Sequence, residues 1–234
     1  MVSYDETYFL TRESWRDWRI EARELIRLVR IAGGARVLEI GCGGGGLLRM
    51  ARARGASVVG VDTLSVALEL ARVSLQEQPS DPLHRNDPRS AAFRRVPDLT
   101  QISSDNRLPF AANSFDAILG QQVMEHLRDT DAILREWHRL LKPNGRLALA
   151  TPNARYPDPA HFADPDHTHI FSPTELGAAL ERAGFVIGTC DTIFPFISRL
   201  PYLRAIGVFG YRIFRHVPYF ATRGRTILVS AFKK

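Results

Sequence analysis

A glycine-rich loop near two acidic residues is the part of this sequence best suited to bind a charged small molecule. The loop, Gly41–Gly46, follows the short apolar run Val37–Ile40, and a helical pattern follows the loop. Glycines let the chain turn tightly and approach a ligand closely, and the first N–H groups of the next helix can face that ligand. Glu39, inside the predicted strand, would repel a pyrophosphate. The loop therefore suits a ligand that carries an ammonium group.

The second acidic residue ends the next predicted strand. Residues Ser57–Asp62 form a β-branched run that closes with a carboxylate. In a β-α-β unit, an acid at this place can accept hydrogen bonds from both hydroxyls of a ribose. One helix and one strand separate Gly41 from Asp62, which matches the expected interval of about 20 residues. The pair therefore predicts a site for a cofactor that contains a nucleoside.

Several motifs in this order resemble the class I S-adenosylmethionine-dependent methyltransferases. The motifs are residues 37–45, 59–62, 105–110, 114–118, 123–127 and 141–146. The resemblance covers roughly residues 20–152 and is looser beyond them. It implies one doubly wound, Rossmann-like α/β domain over residues 1–234, with a mainly parallel seven-stranded sheet, helices on both faces and S-adenosylmethionine as the cofactor.

The resemblance also implies which residues contact the cofactor. The predicted set is Glu39, Gly41, Cys42, Gly43, Asp62, Thr63, Asp105, Asn106 and Gln121. Glu39 would reach the methionyl ammonium and Asp62 would hold the ribose. Asp105 would accept a hydrogen bond from the adenine amino group, and Asn106 would offer its backbone N–H to the ring. Gln121 would flank the methionyl end.

Histidines supply the candidate catalytic base. Methyl transfer to a hydroxyl needs positioning and a base, and histidine suits that role near neutral pH. His167 is the first candidate and His161 the second, because both follow the fifth predicted strand in a segment that resembles enzymes acting on sugars, quinones and other small molecules. His126, in the Glu-His pair after the fourth strand, is the third. Hydrogen bonding to backbone in a structural turn is the alternative for each.

A metal site is not predicted. Asp164, His167 and His169 lie close in sequence. Alternate residues of an extended segment point to opposite faces, and the ordered ligand set of a zinc site is absent.

Hydrophobic periodicity and turn residues predict the elements that position these side chains. The predicted strands are residues 37–40, 57–62, 99–102, 116–120, 147–152, 185–190 and 226–232. The predicted helices are residues 20–29, 47–51, 63–72, 131–141 and 174–183. Residues 1–30 are expected to form N-terminal cap helices, with Gly33-Gly34 ending the second. Residues 142–145 predict a turn, and residues 121–127 lead into a helix.

Two stretches interrupt this alternation of predicted strands and helices. Residues 76–97 are rich in proline and charge, which predicts a flexible insertion or a lid near the site. Residues 192–221 connect the last two predicted strands, and residues 194–220 are aromatic, apolar and basic without a single acid. This composition fits an interfacial segment on an anionic membrane, or a pocket for a lipid-linked acceptor. A packing helix or a dimer face is the alternative.

Composition sets further bounds. The chain has 234 residues, 45% of them hydrophobic, and a net charge of +6. No apolar run reaches the ~20 residues of a membrane span, and the polar N-terminus is unlike a signal peptide. Two cysteines cannot build a disulfide framework, which favours a reducing compartment. We expect a cytoplasmic protein, with peripheral membrane contact and the oligomeric state left open.

The predicted function is methyl transfer from S-adenosylmethionine to a small or lipid-linked acceptor, with oxygen as the expected atom. A nucleic-acid or protein methyltransferase is one alternative, although residues Gly120–Val123 lack the Asn-Pro-Pro-Tyr motif of nucleic-acid enzymes. Basic residues diluted by large aliphatics also argue against nucleic acid as a partner. A non-catalytic cofactor-binding scaffold is a second alternative, and a nicotinamide oxidoreductase is a third. The intact glycine loop and Asp62 argue against the scaffold, and Glu39 with the Gly-Cys-Gly-Gly-Gly loop argues against the oxidoreductase.

Overall fold

A seven-stranded sheet forms the centre of the protein. The computed structural model describes residues 4–76, 98–103, 107–156, 165–193, 206, 217 and 223–234. The strands are β1 (Arg36–Ile40), β2 (Ser57–Asp62), β3 (Asp98–Gln101), β4 (Phe115–Gln121), β5 (Leu141–Pro152), β6 (Phe185–Ile193) and β7 (Thr226–Lys233). Their order is β3-β2-β1-β4-β5-β7-β6, and β7 runs antiparallel to both of its neighbours. The doubly wound, mainly parallel α/β fold is confirmed.

Helices cover both faces of the sheet and bury two apolar clusters. In the described residues they are α1 (Glu6–Ser14), α2 (Arg16–Val29), α3 (Gly46–Arg52), α4 (Ser65–Gln76), α5 (Thr130–Leu140) and α6 (Pro173–Arg182). Neighbouring residues of β1 point to opposite faces: Val37 packs with the cluster under α2, α3 and α4, and Leu38 packs with the cluster under α5 and α6. Burial on both faces explains the nearly continuous apolar runs of the central strands.

The two central strands create the crevice for the site. The chain runs outward from β1 through β2 to β3 on one side, and from β4 through β5 on the other. Strands β1 and β4 are adjacent and parallel, with Ile40 opposite Gly120. The loops that leave their carboxyl ends diverge at this switch point, which is where ligands bind in open α/β sheets. The glycine loop and Gln121 therefore lie side by side.

Several predicted boundaries differ from the structure. The segment after Gln121 forms only the 3-10 turn Met124–His126 before α5. The predicted turn at residues 142–145 is an irregularity within β5, because Leu141 pairs with Phe115 while Arg146 already pairs with Ala117. Helix α2 ends at Arg30, whose left-handed backbone (φ 49°) stops it before the two glycines. These differences arise because pairing with a neighbouring strand or a local backbone turn overrides sequence propensity.

The start of α6 was predictable in detail. Ser172 accepts a hydrogen bond from the Glu175 backbone N–H, and the Glu175 side chain accepts one from the Ser172 N–H. Pro173 occupies the first turn. This reciprocal capping box satisfies two otherwise unpaired donors at the helix start.

Two predicted insertions fall largely outside the described residues. The description stops at Gln76, the last residue of α4, and resumes at Asp98. Between Ile193 and Arg223 only Ile206 and Val217 are described, and both are exposed. Among the described residues, every helix is too short or too polar to cross a lipid bilayer.

Candidate functional site

The glycine loop is held in shape by β2 and closed over by α1. The backbone N–H groups of Gly41 and Cys42 both donate to the carbonyl of Val61, at 2.9 and 3.0 Å. Gly43 has a φ of +48°, and a Cβ added to it would lie 3.2 Å from the ring of Phe9 on α1. Both the backbone conformation and the space therefore require glycine at position 43.

Asp62 fastens the loop from the end of β2. Its Oδ2 accepts a hydrogen bond from the Gly43 N–H at 3.0 Å, and its Oδ1 accepts one from the Leu64 N–H at 3.0 Å. The side chain is only 8% exposed, and burial raises the pKa of its carboxyl. Each oxygen can still accept a further bond, so ribose binding stays a prediction for Asp62. Thr63, the next residue, is exposed.

Glu39 is a buried carboxylate with an unmatched oxygen. It is 3% exposed, and its Oε2 has no hydrogen-bond partner among the described residues. Burial, reinforced by the neighbouring Glu13 and Asp62, raises its pKa well above the usual range. Burying a carboxylate oxygen without a hydrogen-bond partner is costly, and a cationic ligand would reduce that cost.

Cys42 stabilises the shape of the loop and is not suited to act as a nucleophile. Its backbone carbonyl accepts the N–H of Gly45 at 2.9 Å, and its sulfur packs toward Gly60 of β2. Burial raises the pKa of the thiol well above its ordinary value, so the thiolate that a nucleophile needs is disfavoured.

The N-terminal helices lie over the loop and the end of β4. Glu13 of α1 accepts the Gly46 N–H at 3.1 Å. Glu21 of α2 accepts hydrogen bonds from the side-chain amides of Gln121 and Gln122, at 3.0 and 3.1 Å. Gln121 is thereby fixed at the carboxyl end of β4, beside the glycine loop, and its contact with the methionyl end stays a prediction.

These groups fit S-adenosylmethionine, the predicted cofactor. Its methionyl ammonium and sulfonium are positive, and the unpartnered Oε2 of Glu39 is a buried acceptor next to the loop. Asp62 adds a second carboxylate at the end of β2. Pyrophosphate at the loop would lie next to Glu39, so a dinucleotide suits the loop less well.

A second cluster forms where the turn after β4 meets the segment that follows β5. Thr168 is clamped to Glu125, whose carbonyl accepts the Thr168 backbone N–H at 2.7 Å and its hydroxyl at 3.1 Å. Nδ1 of His126 lies 3.1 Å from the carbonyl oxygen of Asp166. The rings of His126 and His167 meet edge to face, with centroids 4.8 Å apart. Two of the three predicted histidines therefore share one site.

Glu125 is the part of this cluster that the sequence prediction missed. It is 1% exposed, and its Oε2 accepts the hydroxyl of Thr151 on β5 at 2.9 Å. Burial raises the pKa of its carboxyl to about 7. The Glu-His pair was visible in the sequence, but the burial of its acid depends on β5 and on the clamp from Thr168.

This cluster also differs from the metal set considered in the sequence. One ligand atom each from Glu125, His126 and His167 lie within 4.8 Å of one another, so these three residues could hold a metal ion. His169 instead packs on Phe171, with ring centroids 4.4 Å apart. The remaining predicted positions, Asp105, Asn106, His161 and Asp164, lie outside the described residues.

Helix α1 connects the loop and the histidines. Phe9 faces Gly43, and Tyr8 packs on Phe9 with ring centroids 5.4 Å apart. Tyr4 packs on Tyr8 at 4.9 Å and reaches the ring of His126 at 6.2 Å. A continuous row of rings, from Tyr4 just before α1 to Phe9 within it, therefore borders both groups of residues.

Curated relatives and a family model match this chain. A model described as a methyltransferase domain matches residues 11–189. The ubiquinone biosynthesis O-methyltransferase of Pseudomonas aeruginosa is 33% identical over 168 residues, or 66% of each chain. The protein of the same name from Xanthomonas oryzae pv. oryzae is 35% identical over 166 residues, covering 64% of this chain and 62% of that protein. The chain thus spans slightly less than two thirds of these relatives' length.

Solved structures match a larger share of the chain at lower identity. An S-adenosylmethionine-dependent methyltransferase from Mesorhizobium loti has a TM-score of 0.64 at 20% identity, covering 94% of this chain and 99% of that chain. The geranyl diphosphate C-methyltransferase of Streptomyces coelicolor A3(2) also has a TM-score of 0.64 at 20% identity, covering 92% and 80%. These structures show the fold alone. Together with the family model over residues 11–189, the motifs at the switch point establish that the chain belongs to the class I S-adenosylmethionine-dependent methyltransferases.

Proposed function

We propose that this enzyme methylates a hydroxyl oxygen of a small, aromatic acceptor. The observation that carries the proposal is the meeting of His126 and His167, at 4.8 Å, beside the buried acid Glu125. Two imidazoles next to the cofactor crevice supply the general base that a hydroxyl nucleophile needs. The relatives' name, ubiquinone biosynthesis O-methyltransferase, supports oxygen as the atom and a ring that bears hydroxyl groups as the acceptor class.

Each residue has one role in this proposal. When bound, S-adenosylmethionine supplies an activated methyl group on a sulfonium. Glu39 would face its ammonium, and Asp62 would accept hydrogen bonds from its ribose. His167 would accept the proton of the acceptor hydroxyl. His126 would orient His167, because the two rings pack edge to face. The Nδ1 of His126 must donate to the Asp166 carbonyl, because a carbonyl only accepts hydrogen bonds.

The direct experiment is methyl transfer from radiolabelled S-adenosylmethionine to 3,4-dihydroxybenzoate and to 3,4-dihydroxybenzyl alcohol. We expect a singly O-methylated product by mass spectrometry. DNA, RNA and a protein extract serve as rival acceptors. Label in one of these polymers, with none in the catechols, would overturn the proposal in favour of the corresponding alternative. Cofactor binding without label in any acceptor would favour a scaffold.

We propose further that residues 194–220 dock on an anionic membrane or receive a lipid-linked acceptor. The support is the sequence: this stretch contains Arg199, Arg204, Arg212 and Arg215 among aromatic and aliphatic residues, and no acid. Each such arginine adds about 1 kcal/mol near an anionic leaflet. In a flotation assay the protein should rise with phosphatidylglycerol vesicles, less with phosphatidylcholine vesicles, and less again at high salt.

The matched variant changes the four arginines to glutamine. It should stay at the bottom of the gradient while methylating a water-soluble catechol normally. If the unchanged protein also stays at the bottom with every vesicle, the stretch is a packing or dimer element.

A further inference from the structure

Arg12 lies in the last turn of α1, one turn after Tyr8, and its charge interacts with Glu21 and with Glu125 of the histidine cluster. The next residue, Glu13, binds the N–H of Gly46 on the cofactor side. One turn earlier, Tyr8 packs on Tyr4, which reaches His126 on the other side. The guanidinium carbon lies 6.0 Å from the centroid of the Tyr8 ring. Arg12 therefore borders the space between the glycine loop and the histidines.

The guanidinium of Arg12 has unused hydrogen-bonding capacity. Among the described residues it makes one side-chain hydrogen bond, from Nη1 to the Tyr8 hydroxyl at 2.9 Å. A guanidinium carries five N–H donors in a planar fork that matches a carboxylate or an ionised hydroxyl. The side chain is partly buried, so an anionic oxygen placed there would interact in a medium of reduced dielectric constant.

The acids around Arg12 leave its charge only partly balanced. The carboxyl groups of Glu13, Glu21 and Glu125 interact with its charge, yet no carboxylate of the described residues lies within 4.0 Å of it. Two of these acids are buried, Glu21 at 6% exposure and Glu125 at 1%. Because none of these acids forms an ion pair with Arg12 at contact distance, its guanidinium keeps N–H donors for an incoming anionic oxygen.

We propose that Arg12 binds an anionic oxygen of the acceptor and so orients its ring against Tyr4, Tyr8 and His126. The inference rests on the proposed function, whose acceptor it specifies: an aromatic hydroxy compound that carries a carboxylate or an ionised hydroxyl. Edge-to-face packing on tyrosine and histidine rings would hold the plane of the acceptor, and the guanidinium fork would fix its rotation.

The test measures binding and turnover in the full chain saturated with S-adenosylhomocysteine or S-adenosylmethionine, respectively. Calorimetry compares 3,4-dihydroxybenzoate with the neutral 3,4-dihydroxybenzyl alcohol in the unchanged protein, Arg12→Gln and Arg12→Lys. We expect Arg12→Gln to weaken benzoate binding by about 10- to 100-fold, the scale of a hydrogen-bonded charge. Arg12→Lys should recover part of that loss, because it restores the charge without the fork.

The neutral probe distinguishes the two sources of the anion. If only the binding of the benzoate is weakened, Arg12 binds the carboxylate. If turnover of both probes falls and the pH profile of Arg12→Gln moves upward, Arg12 favours the ionised hydroxyl. Equal losses without a change in pH profile, benzoate binding within threefold of the unchanged protein, or no binding of either probe to that protein would each overturn the inference.

Two controls separate this inference from the fold and from the proposed function. Arg16→Gln removes the same charge four residues later, from an exposed position on α2, and should change neither affinity. The affinity for S-adenosylhomocysteine and the melting temperature should hold in every variant. Benzoate binding that depends on Arg12 in a protein that methylates neither catechol would contradict the proposed function while supporting the role of Arg12.

Discussion

The part of the site predicted to bind the cofactor comes from one short stretch of sequence, whereas the part proposed to bind the acceptor comes from segments that are distant in sequence. These parts are called the cofactor half and the acceptor half. Glu39, Gly43 and Asp62 lie within one β-α-β unit, in which backbone pairing fixes their relative places. His126 and His167 come from separate segments, which are joined by the hydrogen bonds of Thr168 to Glu125 and of His126 to Asp166. Contiguity explains why spacing predicted the first half and could only nominate candidates for the second.

The two halves also differ in what their acids contact. Asp62 accepts two backbone N–H groups, so its carboxylate is part of the loop. Glu125 accepts a side-chain hydroxyl, from Thr151. Substitutions in the first half should therefore change cofactor affinity, and substitutions in the second should change turnover. The predictions below test this division, from the largest expected effect to the smallest.

Replacing His167 with alanine should reduce turnover by about 10²–10⁴-fold, the usual contribution of a general base, and leave cofactor affinity unchanged. His169→Ala is the matched control, because its ring packs on Phe171 two residues away. Steady-state kinetics and calorimetry with S-adenosylhomocysteine measure both effects. A loss of tenfold or less in His167→Ala would demote it to an orienting role, and His161 and His126 would be tested in that order.

Replacing Gly43 with valine should weaken S-adenosylmethionine binding by roughly 100-fold or more. The side chain would meet the ring of Phe9 at a backbone φ of +48°, and overpacking and backbone strain each cost about 1–3 kcal/mol. Gly177→Val is the control, since nothing lies within 4 Å of a Cβ at that position on α6. Unchanged affinity in Gly43→Val by calorimetry would remove the glycine loop from the cofactor site.

The sequence predicted elements whose signals are local. The strands around Val37 and Val59 were predictable because both of their faces are buried, which leaves a continuous apolar run. The box at Ser172 was predictable because a cap and its partner are three residues apart. The bulge after Leu141 was not, because Lys142–Gly145 reads as an ordinary turn until Arg146 pairs with β4.

The same limit applies to the site. Arg12 carries no signal in the sequence that distinguishes it from the other arginines of residues 1–30, since its position depends on how α1 lies over the loop. The burial of Glu39 follows from its place inside an apolar strand, whereas its unmatched oxygen is seen only in the structure. The position of Arg12 depends on its tertiary neighbours, whereas the burial of Glu39 follows from strand periodicity.

Replacing Glu125 with glutamine should alter the pH dependence of stability. With a folded-state pKa of about 7 against an ordinary value of 4.5, Glu125 keeps its proton after the unfolded chain has released it. Stability of the unchanged protein should therefore fall as pH rises from 4.5 to 7, by about 3 kcal/mol from this group. Glutamine cannot ionise, so the variant should escape this fall.

Urea denaturation at pH 5 and pH 8 measures the difference. Glu175→Gln is the control, because the Ser172 N–H lowers the pKa of the exposed Glu175, which is therefore ionised at both pH values. Its contribution is lost only on acidification below pH 5, so Glu175→Gln and the unchanged protein should show the same difference in stability between pH 5 and pH 8. If Glu125→Gln and the unchanged protein lose equal stability between the two pH values, the carboxyl is already ionised at pH 5.

Replacing Asp62 with asparagine should weaken S-adenosylmethionine binding by roughly 1.5–3 kcal/mol, the scale of hydrogen bonds to a charged group. One side-chain oxygen remains, so one of the bonds to Gly43 and Leu64 can persist and the loss of stability should be smaller than for alanine. Asp116→Asn is the matched control: this acid pairs with Lys142 at 2.8 Å near the amino end of β4, remote from the loops at the carboxyl ends. Asp116→Asn should lower the melting temperature and leave the cofactor affinity intact. If Asp62→Asn behaves in the same way, Asp62 acts only as the anchor of the loop, and the ribose must be held by another residue of the cofactor half.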